Sequence, residues 1–201
     1  MGDKKLVPPT LDLSSLVQAL AADVDIISVM IIPGFIIAWL TFPGVIVHEW
    51  AHKVFCHCTG TKVLEVCYFR LGNPAGYVIH EPPSSVWKHI LIGIGPLYVN
   101  TAIGLTLGLL AAPLRYKDDW EGTYFGLIYL AVSIAMHSFP STGDAKNIWN
   151  AIWEQSAPKL TRIIGAPLVA VIVIGAIGSF FWLDLLYGIG VVMGLPSLLR
   201  S

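Results

Sequence analysis

Long apolar blocks separated by short polar stretches dominate the pattern of this chain. Residues 26–47 carry no charged side chain, and apolar blocks extend over 26–58, 86–113, 123–153 and 163–199. A helix needs about 20 consecutive apolar residues to cross a bilayer. The pattern therefore predicts an all-α, multi-pass integral membrane protein whose expected partner is the lipid bilayer. We expect about four transmembrane helices, or five to six if the interrupted blocks are split.

Breaks in these blocks fall where the chain must still be buried. The first span is expected over 34–58, with Thr59-Gly60 as its stop. The third block runs only about 14 residues before 137–144 interrupts it, which is too short to cross a bilayer alone. Irregular backbone survives inside a membrane only where it is buried in protein or faces a cavity. We therefore predict that His137 and Asp144 lie within the helix bundle.

The two ends of the chain are less sharply patterned. Asp184 interrupts the last block, which could be one span with an interfacial tail or two tightly joined spans, and we expect Asp184 itself at the far membrane interface. Leucines at helical spacing near the amino end indicate a short amphipathic helix on the membrane surface, with a mobile tail as the alternative. The predicted organisation is an interfacial segment at 1–25, a membrane-embedded core at 26–162 and a C-terminal transmembrane segment at 163–201.

The most polar interior stretch, 59–85, alternates as strands do. Residues 62–71 alternate between polar and apolar side chains, and 72–76 holds the glycine, asparagine and proline of a turn. Residues 77–80 could then return as a second strand. We interpret the stretch as a small membrane-associated β-hairpin, with a plain connecting loop as the alternative.

Composition supports the membrane class and argues against others. The chain is 55% hydrophobic and 12% charged, with a mean hydropathy of +0.71, whereas soluble domains carry about 25% charged residues. A net charge of −1 without a basic block argues against a nucleic-acid partner. A slight excess of Lys and Arg on one side places the carboxyl end of the first span, and the candidate site, nearer the cytoplasmic face.

The stretch His48-Glu49-Trp50-Ala51-His52 carries the clearest chemistry. Residues four apart on a helix project from one face, so His48 and His52 can bind one Zn²⁺ per chain, and Glu49 is a candidate base. A zinc hydrolase needs three protein ligands, and Asp144 is our choice for the third because a buried carboxylate needs a cation. A polar cluster that only joins helices is the alternative to a metal site. Weaker candidates for the third ligand are His137, Glu65 and His80.

These features together resemble the site-2 protease family of intramembrane zinc metalloproteases. The resemblance covers roughly residues 34–155, a catalytic core of three helices. In that family the third zinc ligand is the Asp of an Asn-x-x-Pro…Leu-Asp-Gly motif, which corresponds here to Asp144. The family's Gly-Pro-x-x-Asn element corresponds to Gly95, Pro96 and Asn100.

The chain departs from the family pattern around the same residues. His137 stands where the family usually has Asn, and Ala145 follows the Asp where the family has Gly. The Pro–Asp and Pro–Asn spacings each differ from the family's by one residue. The resemblance is therefore to a divergent member.

The resemblance implies a zinc-dependent metalloendopeptidase with Glu49 as its catalytic base. Its substrates would be transmembrane segments, already trimmed by another protease, that are cleaved in regulated intramembrane proteolysis. An unwound helix in lipid needs new hydrogen-bond partners, and a sheet edge can supply them. We therefore expect substrate binding at Asn73, Gly76 and Tyr77, with Asn100 as a further partner. The alternative is a catalytically silent scaffold or chaperone of the same fold, or a small transporter.

Overall fold

The structure is a computed structural model that describes residues 34–154 and 158–198, and helices dominate it. The amphipathic segment expected at 1–25 lies outside these residues. The stretch predicted as one span over 34–58 is divided at Thr41 into two helices, and its predicted end after Cys58 is confirmed. In chain order the elements are α1 (Gly34–Leu40), α2 (Phe42–Cys58), β1 (Val63–Cys67), β2 (Tyr77–His80), α3 (Val86–Ala111), α4 (Glu121–Met136), α5 (Thr142–Glu154), α6 (Lys159–Gly178) and α7 (Leu183–Leu198).

Two helices are long and apolar enough to cross a membrane, judged by length and composition. They are α3 with the turn that follows it, Val86–Tyr116, and α6, while α4 and α7 are apolar but shorter. The outer face of α6 exposes large apolar side chains, and Ile163, Val171 and Ile174 are each more than half exposed. Such a face favours lipid over water. The count of about four spans stays a prediction.

The start of α2 is seated closely against α4. The Ser133 hydroxyl of α4 accepts from the Gly44 N–H (3.1 Å) and donates to the carbonyl of Thr41 (3.0 Å). A side chain at Gly44 would collide with the carbonyl oxygen of Ser133 and would lie 2.6 Å from Nδ1 of His137. The absence of a Cβ at Gly44 is therefore what allows the two helices to approach this closely.

The third and fourth apolar blocks each form a broken helix, and the two breaks lie side by side. The first break, at 137–141, separates α4 from α5 as predicted, and the second, at 179–182, separates α6 from α7. The last block therefore forms two helices. α4 packs on α7, and α5 packs on α6. The ring of Phe139 in the first break lies 5.0 Å from the ring of Tyr187, close to the second.

α3 holds the other helices in place. It packs against α2, α4, α5 and α6. An aliphatic core forms where α3, α5 and α6 meet. Because α2 and α5 both pack on α3, their contacts with α3 set their positions. The buried residues of this core include Ile90, Ile94, Ile148, Ile152 and Val169.

The polar stretch at 59–85 contains the predicted β-hairpin, so the plain-loop alternative is wrong. β1 and β2 pair antiparallel with Cys67 opposite Tyr77, and the register is irregular between Val63 and Glu65. Both strands pack on α2. The hairpin thus lies against the helix that carries the two histidines of the motif.

Gly44→Ala should lower the free energy of unfolding by about 1–3 kcal/mol, because the added methyl group overpacks the contact between α2 and α4. Gly126→Ala is the matched control, since no described atom lies within 4 Å of its Cβ position. The control should be neutral, or stabilising by up to about 1 kcal/mol. Thermal unfolding of the purified variants beside the parent measures both effects. Equal midpoints for the parent and the Gly44 variant would contradict the close contact.

Candidate metal centre

Three side chains from two helices converge on one point. His48 and His52 lie one turn apart on α2, and Asp144 lies in the first turn of α5. The Nε2 atoms of the two histidines are 3.2 Å apart, and Asp144 Oδ2 lies 3.6 Å from His52 Nε2. One ligand atom from each residue lies within 4.8 Å of the others. These residues could hold a metal ion, and they include the carboxylate predicted as third ligand.

Two backbone carbonyls orient the histidine rings. His48 Nδ1 donates to the carbonyl oxygen of His137 (2.7 Å), and His52 Nδ1 donates to that of Ile92 (2.9 Å). A carbonyl can only accept, so each neutral ring carries its proton on Nδ1 and turns the Nε2 lone pair toward the centre. Metal-binding histidines are held by their second nitrogen in this way.

Pro96 explains why the Ile92 carbonyl is available. In a regular helix that carbonyl would accept from the N–H four residues later, which is position 96. Pro96 lies inside α3, and proline has no N–H. The Ile92 carbonyl therefore lacks its usual partner and accepts from His52. The His137 carbonyl is likewise outside regular helix, because α4 ends at Met136.

Hydrogen-bond acceptors face one another at the centre. With both histidines neutral, the two Nε2 lone pairs and the Asp144 carboxylate come together at the distances given above. No described lysine or arginine lines the cavity around them. Acceptors this close repel each other unless a cation lies between them. The three groups could therefore hold a metal ion between them.

A helix cap holds the Asp144 carboxylate. Ser141 precedes α5, and its hydroxyl accepts from the Asp144 N–H (3.1 Å). In return, Asp144 Oδ2 accepts from the backbone N–H (2.8 Å) and the hydroxyl (2.6 Å) of Ser141. This reciprocal pair is a capping box. It fixes the carboxylate beside the histidines, and the bonds it makes all go to one of the two oxygens.

His137 and Asn100 act on the centre through the backbone. His137 Nδ1 bonds to the carbonyl of Ser133 (2.9 Å), so its ring does not join the three ligands. Asn100 is fully buried, and its Nδ2 lies within 3.1 Å of the carbonyl oxygens of His137 and Ile134. Asn100 thus supports the carbonyl that orients His48. The amide nitrogen of Asn100 bonds to protein carbonyls in this structure. A hydrogen bond from Asn100 to substrate stays a prediction.

Glu49 and the hairpin share one cavity with the three ligands. The cavity measures about 590 Å³, and Asn73, Gly76 and Tyr77 line it together with Glu49. Glu49 is only 8% exposed, and a Cβ at Gly76 would lie 2.6 Å from Glu49 Cγ. The backbone at the start of β2 therefore covers the Glu49 side chain. The three hairpin residues thus line the same cavity as the ligands, and their role in substrate binding stays a prediction.

The remaining candidates lie apart from the three ligands. Glu65 accepts from the Tyr77 hydroxyl (2.5 Å), and this hydrogen bond raises the pKa of Tyr77 above its usual value. His80 lines the cavity, but its Nδ1 faces the carbonyl of Glu81 (2.8 Å). Asp184, expected at the far interface, instead lines the same cavity as the ligands.

Comparison with known proteins adds no relative. No family model matches the chain, and neither a curated protein nor a solved structure matches it. The resemblance to site-2 proteases therefore depends on the motif residues.

His48→Ala and Asp144→Asn should each abolish or strongly weaken metal binding, because each removes one of three converging ligands. Metal content per purified chain, measured by elemental analysis after chelator-free preparation, tests this. His57→Ala is the control, since His57 lies on the same helix but is exposed and outside the cluster. Full metal content in the Asp144 variant would move the third ligand elsewhere.

Pro96→Ala should weaken metal binding about 10–100-fold without making α3 a poorer helix. The new N–H would compete with His52 for the Ile92 carbonyl, and loss of such a supporting bond costs this much affinity. Alanine is itself the better helix former, by about 3 kcal/mol in a helix interior.

Pro167→Ala is the matched control for this prediction, because Pro167 also lies inside a helix, α6, and is exposed. It should leave the metal affinity unchanged. Affinities come from competition with a chromophoric chelator. Parent-like affinity in the Pro96 variant would show that the freed carbonyl does not matter.

Proposed function

We propose that the protein is an intramembrane zinc metalloprotease that hydrolyses peptide bonds of transmembrane segments. The observation that carries the proposal is the Glu49 carboxylate. It is next in sequence to His48, is almost completely buried, and lines the same cavity as the three ligands. No described residue forms a hydrogen bond or an ion pair with it. A site that only bound metal would have no use for a buried, unpaired carboxylate at this position.

Zinc is the proposed metal because the donors are two imidazole nitrogens and one carboxylate oxygen. Hydrolytic zinc sites use three such ligands and keep a fourth position open. Two ligands each about 2.0–2.1 Å from a tetrahedral ion lie about 3.3 Å apart, close to the 3.2 Å between the histidine Nε2 atoms. Bound zinc would supply Lewis-acid chemistry by lowering the pKa of a water molecule toward about 7.

Glu49 would act as general base and then as general acid. Its carboxylate accepts the proton of the attacking water and later delivers it to the amine of the departing peptide. Burial beneath the hairpin backbone keeps bulk water away from that carboxylate. His48, His52 and Asp144 would hold the metal on one side of the cavity while Glu49 handles the proton.

The hairpin is the proposed binding surface for substrate. The described sheet has two strands, so β1 pairs with one edge of β2 and no described strand pairs with the other. Three residues of β2, Tyr77, Val78 and His80, line the cavity. An extended segment added to this edge would find hydrogen-bond partners for its unwound backbone. It would lie near Glu49, because Gly76 just before the strand contacts that side chain.

A small transporter is the second candidate, and one observation favours it. Two helix breaks lie side by side next to a polar cavity, as in the ion sites of secondary transporters. Proteolysis gives a role to the buried Glu49 carboxylate and to the strand that lines its cavity. Ion passage requires neither of them. Cleavage assays separate the two candidates.

Glu49→Gln should retain the metal and lower the cleavage rate about 10²–10⁴-fold, because it removes the general base and none of the ligands. The assay incubates the metal-loaded parent and variant in detergent with a panel of single-span membrane peptides and detects fragments by mass spectrometry. Glu81→Gln is the control, since its exposed carboxylate pairs with Lys62 outside the cavity. Parent-like cleavage by the Glu49 variant would refute its role. Metal-dependent ion flux without any cleavage by the parent would favour the transporter.

A further inference from the structure

Asp184 is a carboxylate in the central cavity that the proposed hydrolysis does not use. It lies in the first turn of α7, directly after the second helix break, and lines the same cavity as His48 and Glu49. It reaches that cavity from a part of the chain separate from the ligand-bearing helices. Because it lines the cavity, Asp184 can contact a molecule bound there.

Asp184 has no cationic partner within the described chain. The salt bridges there do not involve it, and no described lysine or arginine lines the cavity. Its Oδ1 accepts from the N–H of the next residue, Leu185 (2.8 Å). His137 is the titratable group that faces it, and Nδ1 of that ring already bonds to Ser133 (2.9 Å). A half-buried carboxylate without a counter-ion is costly, so a cation from elsewhere would stabilise it.

Helix capping does not account for this arrangement. Many kinds of polar residue can cap the first turn of a helix, and an acidic side chain there stabilises the helix by only about 0.3–1 kcal/mol. The turn before α7 is also strained, since Trp182 has a φ of +60°, a conformation that a bulky residue rarely adopts. Strain of this kind tends to be kept where it positions a functional group. Here it sets the start of the helix that carries Asp184.

We propose that Asp184 forms a subsite that binds a positively charged side chain, lysine or arginine, of the peptide being cleaved. Ser179 lines the cavity beside the carboxylate, with its hydroxyl donating to the carbonyl of Gly175 (3.2 Å), and Phe139 lines it with an aromatic ring. The methylene stem of a lysine can lie along such a ring while its ammonium group reaches the carboxylate. The inference builds on the proposed function, because it names the class of substrate for the same cavity.

The subsite has a consequence for where cleavage falls. Membrane helices carry lysine and arginine at their ends rather than in their middle. A cavity of about 590 Å³ holds a ligand of a few residues at most. The bond cleaved is therefore within a few residues of a basic side chain, near one end of a transmembrane segment.

The test measures binding, so that it does not depend on cleavage. The full chain carrying Glu49→Gln, loaded with zinc in nanodiscs, is titrated with labelled apolar peptides of about 25 residues. The peptides are identical except for lysine, glutamine or glutamate at one position, which is moved along the terminal third. The lysine peptide should bind about tenfold tighter than the glutamine peptide at the best position, as expected for a charge-assisted hydrogen bond.

Two substitutions at Asp184 make the test specific. Asp184→Asn keeps an oxygen for the Leu185 N–H and should bring the lysine preference to about onefold. Asp184→Lys should reverse the preference toward the glutamate peptide. Asp119→Asn is the control, because Asp119 is exposed and lies outside the cavity, and it should keep the preference. Metal content and thermal unfolding confirm that each variant is folded.

Either of two results would overturn the subsite. They are equal binding of the lysine and glutamine peptides by the chain with Asp184 intact, and a lysine preference that survives in Asp184→Asn. The outcome is separable from the proposed function. Cleavage without charge preference refutes the subsite alone, and a charge preference that depends on Asp184 without any cleavage by the parent refutes the protease alone.

Discussion

Two backbone carbonyls without their usual helical partners are the constraint on which the centre depends. A buried carbonyl needs a hydrogen bond. That of Ile92 accepts from Nδ1 of His52, and that of His137 accepts from Nδ1 of His48 and from Nδ2 of Asn100. One carbonyl is freed by Pro96, and the other lies where α4 ends. Because both rings are held through Nδ1, both Nε2 lone pairs face the Asp144 carboxylate. With that orientation the three side chains could hold a metal ion.

The helix breaks create a polar cavity within a bundle of apolar helices. Irregular backbone inside a membrane has to be buried or face such a space, and here the two breaks lie together. The first break leads into the capped turn that carries Asp144, and the second leads into the turn that carries Asp184. The hairpin then closes part of the cavity by packing on α2, with its backbone against Glu49. Four separate parts of the chain thus meet around one centre: α2, the hairpin and the two helix breaks with the turns that follow them.

Three carboxylates in one cavity are costly unless each has its own role. Asp144 is held by Ser141 next to the histidines, which suits a metal ligand. Glu49 is buried without a hydrogen-bond partner in the described chain, which suits a group that exchanges protons. Asp184 faces the cavity from α7 without a counter-ion, which suits recognition of a cation. Environment, rather than chemical type, separates the three proposed roles.

Local patterns determined much of this protein from sequence alone. Apolar block lengths, the four-residue spacing of His48 and His52, the interruption at 137–144 and the turn residues at 72–76 depend on short-range chemistry. The structure confirms the helix end at Cys58, the break between α4 and α5 and the hairpin that these patterns predicted. The distances that bring Asp144 to His48 and His52, the support that Asn100 gives to a carbonyl and the position of Asp184 were decided by tertiary structure. Each joins residues far apart in the chain, and packing around α3 and between the two helix breaks sets those distances.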